Sequence, residues 1–110
     1  YYVGMLAGKN DPALLEKTRH GRDINRRNYT LEEIDREMER PLVRNILELM
    51  RFRNEFPAFD GECAVRSDGS LLTIERTSGG YTARLTADMA SYACSVAFSG
   101  PGERTKTLDL

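Results

Sequence analysis

The chain is 110 residues long, the length of one ordinary domain, and 16 Lys and Arg against 17 Asp and Glu leave a net charge of −1. That balance lacks the basic excess of a dedicated nucleic-acid or membrane-surface protein, and no apolar run nears the ~20 residues needed to cross a bilayer. Two cysteines, Cys63 and Cys94, stand far apart with no C-x-x-C pair, which fits a reducing, cytoplasmic setting or at most one bridge and supplies no metal framework.

The chain opens inside an apolar run, YYVGMLAG. Aromatic and β-branched residues followed by Gly4 and Gly8 predict a short buried strand of the parallel-sheet type. Such a strand needs neighbours on both sides, and no βαβ pattern follows. The chain is therefore expected to be the tail of a longer protein, with YYVGML paired to another strand or to a second copy. Next, NDPALLEKTRHG reads as a short helix with Asp11 as N-cap and Pro12 at the first helical position. Basic residues crowd its end, and Gly21 is placed to take a left-handed cap. From Arg22 to Tyr29 there is no periodicity, so a loop is expected.

Two helical pieces follow. Thr30 and Glu33 make a T-x-x-E capping box, and Leu31, Ile34 and Met38 share one face of the first piece. Pro41 either breaks the helix or opens a second one. From there Leu42, Val43, Ile46, Leu47, Leu49 and Met50 recur at helical spacing, and the helix Pro41 to Asn54 is expected to pack on a sheet or on another copy. Pro57 ends the region.

Beyond FDGE the texture changes. CAVRS, LLTIERT, YTARLTA, YACSVAFS and TKTLDL are short and rich in Thr, Val and aromatics, with DGS, SGG, DMAS and GPGE between them at hairpin spacing. Alternation in LTIERT marks a half-buried antiparallel strand. The fold class is thus α+β: helices first, then an antiparallel sheet or sandwich of about four or five strands. The boundary falls near Phe59 to Gly61, dividing the chain into 1–60 and 61–110.

Most residues able to do chemistry have simple structural readings. Glu32, Glu33, Asp35, Glu37 and Glu39 interleave with Arg36 and Arg40 as a solvated helix face. His20 has no partner at ligand or nucleophile spacing. Cys63 and Cys94 read as small hydrophobes within strands, and the serines lack a G-x-S-x-G elbow. What remains is GRDINRRNY, residues 21–29, with three arginines and one aspartate. Arg22, Arg26 and Arg27, with Arg19 just upstream, could contact phosphates, yet only Tyr29 is near for stacking and the flanking helices are acidic. They could be solvated, or one could turn inward to grip a carboxylate or sugar hydroxyls with its planar fork of donors. The residues alone leave the last two readings open.

YYVGMLAGKND, GRDINRRNYT and RPLVRNILELMRFRNEFPAFDGE, in this order and spacing, resemble the C-terminal end of sucrose phosphorylases, members of the α-amylase-like clan of glycoside hydrolases and transglucosidases. The resemblance covers residues 1 to about 62. It implies that YYVG is the last strand of a (β/α)₈ barrel, followed by barrel-closing helices and a C-terminal β domain. Barrel sites gather at the C-terminal ends of strands, so the GRDINR loop would border the sugar. By the same resemblance Arg22 lies in the subsite that holds the glucosyl ring, paired with an upstream aspartate and fixing the sugar's 4-hydroxyl. Asp23, Asn25 and Arg26 match the motif and are expected to shape the loop. Arg27, Asn28 and Tyr29 stand where the family reads His-Tyr-Tyr, a departure that bears on acceptor preference.

The implied reaction is double displacement with retention: sucrose and phosphate become α-D-glucose 1-phosphate and fructose. The family's nucleophile, acid/base and third carboxylate would lie upstream of Tyr1, so the chain alone is expected to be inactive. No cofactor or metal is implied. Partners would be sucrose or a related α-glucoside and inorganic phosphate, with no nucleic acid and no membrane, and a homodimer is compatible. The competing readings are a related phosphorylase or α-glucosidase acting on another α-glucoside, and a non-catalytic interaction or carbohydrate-binding module. For the latter, four Phe, five Tyr and no Trp are a poor stock of stacking rings.

Overall fold

The computed structural model describes residues 2–108. Its contacts divide the chain into two units, Tyr1–Met50 and Arg51–Leu110. Helices α1 (Tyr2–Met5), α2 (Pro12–Thr18) and α3 (Leu31–Met38), the start of α4 (Pro41–Glu55) and a 3₁₀ turn (Gly21–Asn25) form the first. The end of α4, a 3₁₀ turn (Pro57–Asp60) and strands β1 (Glu62–Asp68), β2 (Leu71–Ser78), β3 (Tyr81–Asp88), β4 (Cys94–Ser99) and β5 (Lys106–Thr107) form the second.

In the first unit the expected N-terminal strand is a helix. Tyr1 lies outside the described residues, and Tyr2–Met5 is a single α turn. The correction has a simple cause. A parallel strand must bond on both sides, whereas one helical turn satisfies its own backbone: Leu6 N–H donates to Tyr2 O at 2.9 Å and Gly8 N–H to Val3 O at 2.9 Å. Val3 and Leu6 are each 4 % exposed and Val43, from α4, is fully buried. That makes a small aliphatic core. Arg40 Nη1 donates to Leu6 O at 3.4 Å and pairs with Glu37.

Pro41 opens α4 rather than breaking a helix, as its missing N–H permits at a first turn. The apolar repeat wraps around α4 more widely than one face can bury. Val43 is buried, while Leu42, Leu49 and Met50 stay 54 %, 41 % and 41 % exposed.

The second unit is a single five-stranded sheet, a meander in the order β1-β2-β3-β4-β5 with every pair antiparallel. It is one sheet and not a sandwich. The SGG turn makes a two-residue hairpin: Ser78 pairs with Tyr81 while Gly79 and Gly80 sit at φ 55° and 83°. Both central residues need positive φ, which suits glycine. No barrel strand is present among the described residues.

Register divides the sheet into two faces. Arg76, Ala83 and Phe98 lie in one row, Ile74, Leu85 and Val96 in the next. On this face Phe52, in the last turn of α4, and Phe56, just past its end, both meet Phe98, with centroids 5.0 and 5.3 Å away. Phe59 meets Phe52 edge-on at 5.6 Å and Tyr81 meets Phe56 likewise. Beneath them Ala58 is fully buried and Ala83 is 3 % exposed. Arg76 secures the 3₁₀ turn by donating from Nη2 to the carbonyls of Phe59 and Gly61. The other face is polar: Thr82 and Ser99 share a hydrogen bond of 2.9 Å, and Arg84 pairs with Glu75. Burial along β2 shows no alternation, since every residue after Leu71 is half-buried. The expected alternation holds for side-chain direction and not for exposure.

The cysteines differ from expectation too. Cys63 on β1 and Cys94 on β4 are exposed thiols. Three strand spacings across the sheet, about 14 Å, and four residues along β4 separate them, well beyond what a disulfide spans. No bridge can join them without rebuilding the sheet.

The β3–β4 connection is tied by Asp88, whose carboxylate accepts from Ala90 N–H at 2.9 Å and Ser91 Oγ at 2.8 Å. The Ala90 amide foremost, then the Ser70 and Ser91 hydroxyls, hold its pKa at about 2, below the ordinary 3.8. A depressed carboxylate stabilises the fold above the unfolded pKa and loses that effect as pH falls. Asp88→Asn should therefore flatten the stability profile between about pH 4 and pH 2, read by urea midpoints at each pH. Phe98→Ala should cost roughly 3 kcal/mol in urea unfolding by removing the ring that Phe52 and Phe56 share, whereas Met89→Ala, at an exposed position, should stay within about 0.5 kcal/mol.

Candidate functional site

The stretch singled out by the sequence lies wholly in the first unit. Upstream, α2 is built as expected. Asp11 Oδ1 accepts Leu14 N–H at 3.0 Å, and Pro12 takes the first position. Its C-terminal cap is a correction. Arg19, not Gly21, holds the left-handed conformation at φ 58°, its N–H donating to Leu15 O. The helix stops at Thr18, two residues before Gly21 could serve as its cap. His20 is extended, and Gly21 instead opens the 3₁₀ turn Gly21–Asn25. Half of the expected loop is thus ordered into one turn, closed by Asp23 N–H to His20 O at 2.9 Å and Arg26 N–H to Asp23 O at 3.1 Å. Asp11 N–H donates to Ile24 O at 2.5 Å, pinning this turn to the start of α2.

Arg22 sits on the first turn, exposed, and no hydrogen bond or ion pair among the described residues engages it. Asp23 is half-buried, and Asn25 and Arg26 are exposed.

Arg27 has a different fate. Its Nη2 pairs with Glu33 Oε1 at 2.6 Å, and its guanidinium lies 4.7 Å from the centre of the Tyr29 ring. Tyr2 Oη donates to Arg27 O at 3.2 Å while the Tyr2 and Tyr29 rings meet edge-on at 6.0 Å. Gly8 is necessary to this arrangement, because a Cβ there would collide with Tyr29 Oη and the Val3 side chain. Glu33 joins both halves: Oε2 accepts Thr30 N–H at 2.9 Å to complete the capping box, and Oε1 holds Arg27. Sequence reasoning found the cap and missed the clamp. The signal lies in Arg27 preceding Glu33 by six residues across a turn, a spacing that no helical or strand rule covers. Tyr2, Val3, Arg26, Arg27 and Asn28 line an open depression of about 320 Å³.

The Glu33 carboxyl is held below its ordinary pKa of 4.5, first by the Thr30 N–H and then by Arg27, with partial desolvation opposing them. The clamp is intact above the usual carboxylate range and is lost as pH falls through it. ¹³C NMR titration should place the Glu33 midpoint below 4.5, and Arg27→Ala should move it part of the way back. Among the described residues no group of three or more His, Cys, Asp or Glu is placed to hold a metal, and no helix is long and apolar enough to cross a membrane.

No family model matches the chain. Sucrose phosphorylase of Streptococcus mutans is 57 % identical over 79 residues, covering 69 % of this chain and 16 % of that protein. Sucrose phosphorylase of Bifidobacterium adolescentis is 49 % identical over 86 residues, 78 % of this chain and 17 % of that one. Glucosylglycerol phosphorylase of Marinobacter adhaerens is 43 % identical over 90 residues, 81 % of this chain and 19 % of the relative. The crystal structure of sucrose 6F-phosphate phosphorylase from Thermoanaerobacter thermosaccharolyticum matches with a TM-score of 0.90 at 32 % identity, over all of this chain and 23 % of that one. The chain thus spans about a fifth of the length of the curated relatives it matches. By sequence and by fold, it belongs with the sucrose and glucosylglycerol phosphorylases, whose C-terminal part it matches.

Proposed function

We propose that the chain serves as the C-terminal part of a retaining glucosyl phosphorylase, with residues 21–26 bordering the glucosyl site of a barrel. Its substrates would be inorganic phosphate and sucrose or a closely related α-glucoside, and its products α-D-glucose 1-phosphate and the freed acceptor. The observation that carries this reading is 57 % identity to a sucrose phosphorylase across a stretch of 79 residues. Three of the relatives compared above bear phosphorylase names with different acceptors. Phosphorolysis is thus the common chemistry and the acceptor the variable one.

In this reading Arg22 is the residue assigned to substrate. Its guanidinium would pair with an aspartate from the barrel and present fixed donors to the ring's 4-hydroxyl. Each charge would offset the other's desolvation, and both would hold the anomeric carbon in line for attack. The two displacement steps need a carboxylate nucleophile and a carboxylic acid that protonates the leaving oxygen. Neither role is assigned to a carboxylate of this chain. Residues 1–110 alone are expected to turn nothing over, and a cytoplasmic setting is part of this proposal. Arg27 is committed to Glu33 and Tyr29. It would set the shape of the loop, while Arg26 and Asn28 remain open toward the acceptor side.

A chimera tests the assignment. Residues 1–110 would replace the matching part of the Streptococcus mutans sucrose phosphorylase, and phosphate-dependent release of glucose 1-phosphate from sucrose would be followed. The chimera should be active, and Arg22→Ala should lower kcat/KM by about a hundredfold or more with folding unchanged. A folded chimera whose Arg22→Ala variant keeps full activity would remove Arg22 from the sugar site.

A further inference from the structure

β1 has one side open. The order β1-β2-β3-β4-β5 leaves its outward N–H and C=O groups without a strand, while the opposite edge, β5, is two residues long. All seven residues of Glu62–Asp68 are exposed, Val65 to 62 %. An uncovered edge of this length is a template for another strand. Its side chains select which one. Glu62, Ala64, Arg66 and Asp68 project on the polar face, and Cys63, Val65 and Ser67 project on the face of Arg76 and Ile74.

We propose that β1 pairs antiparallel with β1 of a second copy of this chain about a two-fold axis at Ala64, joining two sheets into one of ten strands. In this register Glu62 stands opposite the partner's Arg66, and the symmetry makes that pair twice. On the other face Cys63 stands opposite the partner's Val65 and covers the apolar side chain that the edge leaves bare. Other registers are disfavoured by the same charges. An axis at Val65 sets Glu62 opposite Asp68 at both ends. An axis at Arg66 opposes two guanidiniums. An axis between residues pairs the polar face of one copy with the apolar face of the next and forms no charge pair. Opposite charges across a pair stabilise it and like charges oppose it, so a single alignment of this edge with itself is favoured. One strand pair is a small contact, and the dimer is weak and concentration-dependent.

The test uses the whole chain. In a background of Cys63→Ser and Cys94→Ser, Ala64→Cys places two thiols opposite each other at about 4.5–5.5 Å between Cα atoms, within disulfide reach. Oxidation should yield a covalent dimer. Val65→Cys in the same background faces position 63 rather than itself and should cross-link far less. In sedimentation velocity the unaltered chain should show a concentration-dependent dimer. Glu62→Lys should weaken it about tenfold, and Glu62→Lys with Arg66→Glu should restore it, which also shows that the variants fold. Equal cross-linking at residues 64 and 65 would overturn the register. A chain that stays monomeric with no Ala64→Cys dimer, or a dimer indifferent to Glu62→Lys, would overturn the proposal.

Discussion

The second unit depends on one cluster, the stacked pair Phe52 and Phe56 set against Phe98. A meander of five strands has no second layer of its own, and a lone sheet with a single apolar face is not independently stable. The end of α4 supplies that layer. Phe52 sits in its last turn and Phe56 directly after it, held by the Phe56 N–H to Phe52 O hydrogen bond of 2.9 Å, and both reach one ring on β4. The 3₁₀ turn Pro57–Asp60 continues the cover with Ala58 and Phe59. Arg76 converts this packing into a fixed geometry, since its guanidinium spends donors on two carbonyls of that segment. Its Nε is buried without a partner among the described residues. This is a cost the packing must offset.

The first unit is organised by a different principle. Its apolar core is small, with Val3, Leu6 and Val43 buried, and polar links carry much of the definition. Glu33 is the hub. One oxygen closes a helix cap and the other draws Arg27 over Tyr29, so that one carboxylate ties the end of an arginine-rich loop to the start of α3. The consequence is a division of labour within GRDINRRNY. Arg27 and Tyr29 are spent on structure, and the turn Gly21–Asn25 leaves Arg22 displayed. A site residue that must meet a group from elsewhere needs this: a rigid base and an uncommitted head.

The polar face of the sheet follows from its chemistry. Threonine and serine rows with an Arg84–Glu75 pair satisfy themselves in water and ask for no cover. The edge at β1 leaves the outward backbone hydrogen bonding of a seven-residue strand open, and its charges are arranged so that two copies fit in one alignment.

Much of this was legible locally. The capping box at Thr30, the Asp11 cap, the start of α4 at Pro41 and the glycine turn at Ser78–Tyr81 are all decided by residues within a few positions of one another. Each is set by a backbone donor or a φ angle that only certain side chains satisfy. The phosphorylase kinship was legible too, because three motifs kept their order and spacing. Tertiary structure decided the rest. YYVGML has strand composition, yet Tyr2–Met5 forms a helical turn, because a strand's hydrogen bonds come from a neighbour and a helix's come from itself. Gly21 lost the cap to Arg19 because the helix ended sooner than its charge pattern suggested. Arg27 went to Glu33, and Cys63 and Cys94 came to lie three strands apart, through contacts that no local spacing encodes. Local rules determined where elements begin and turn. The fold alone determined which face each side chain meets, because burial and pairing depend on residues distant in sequence.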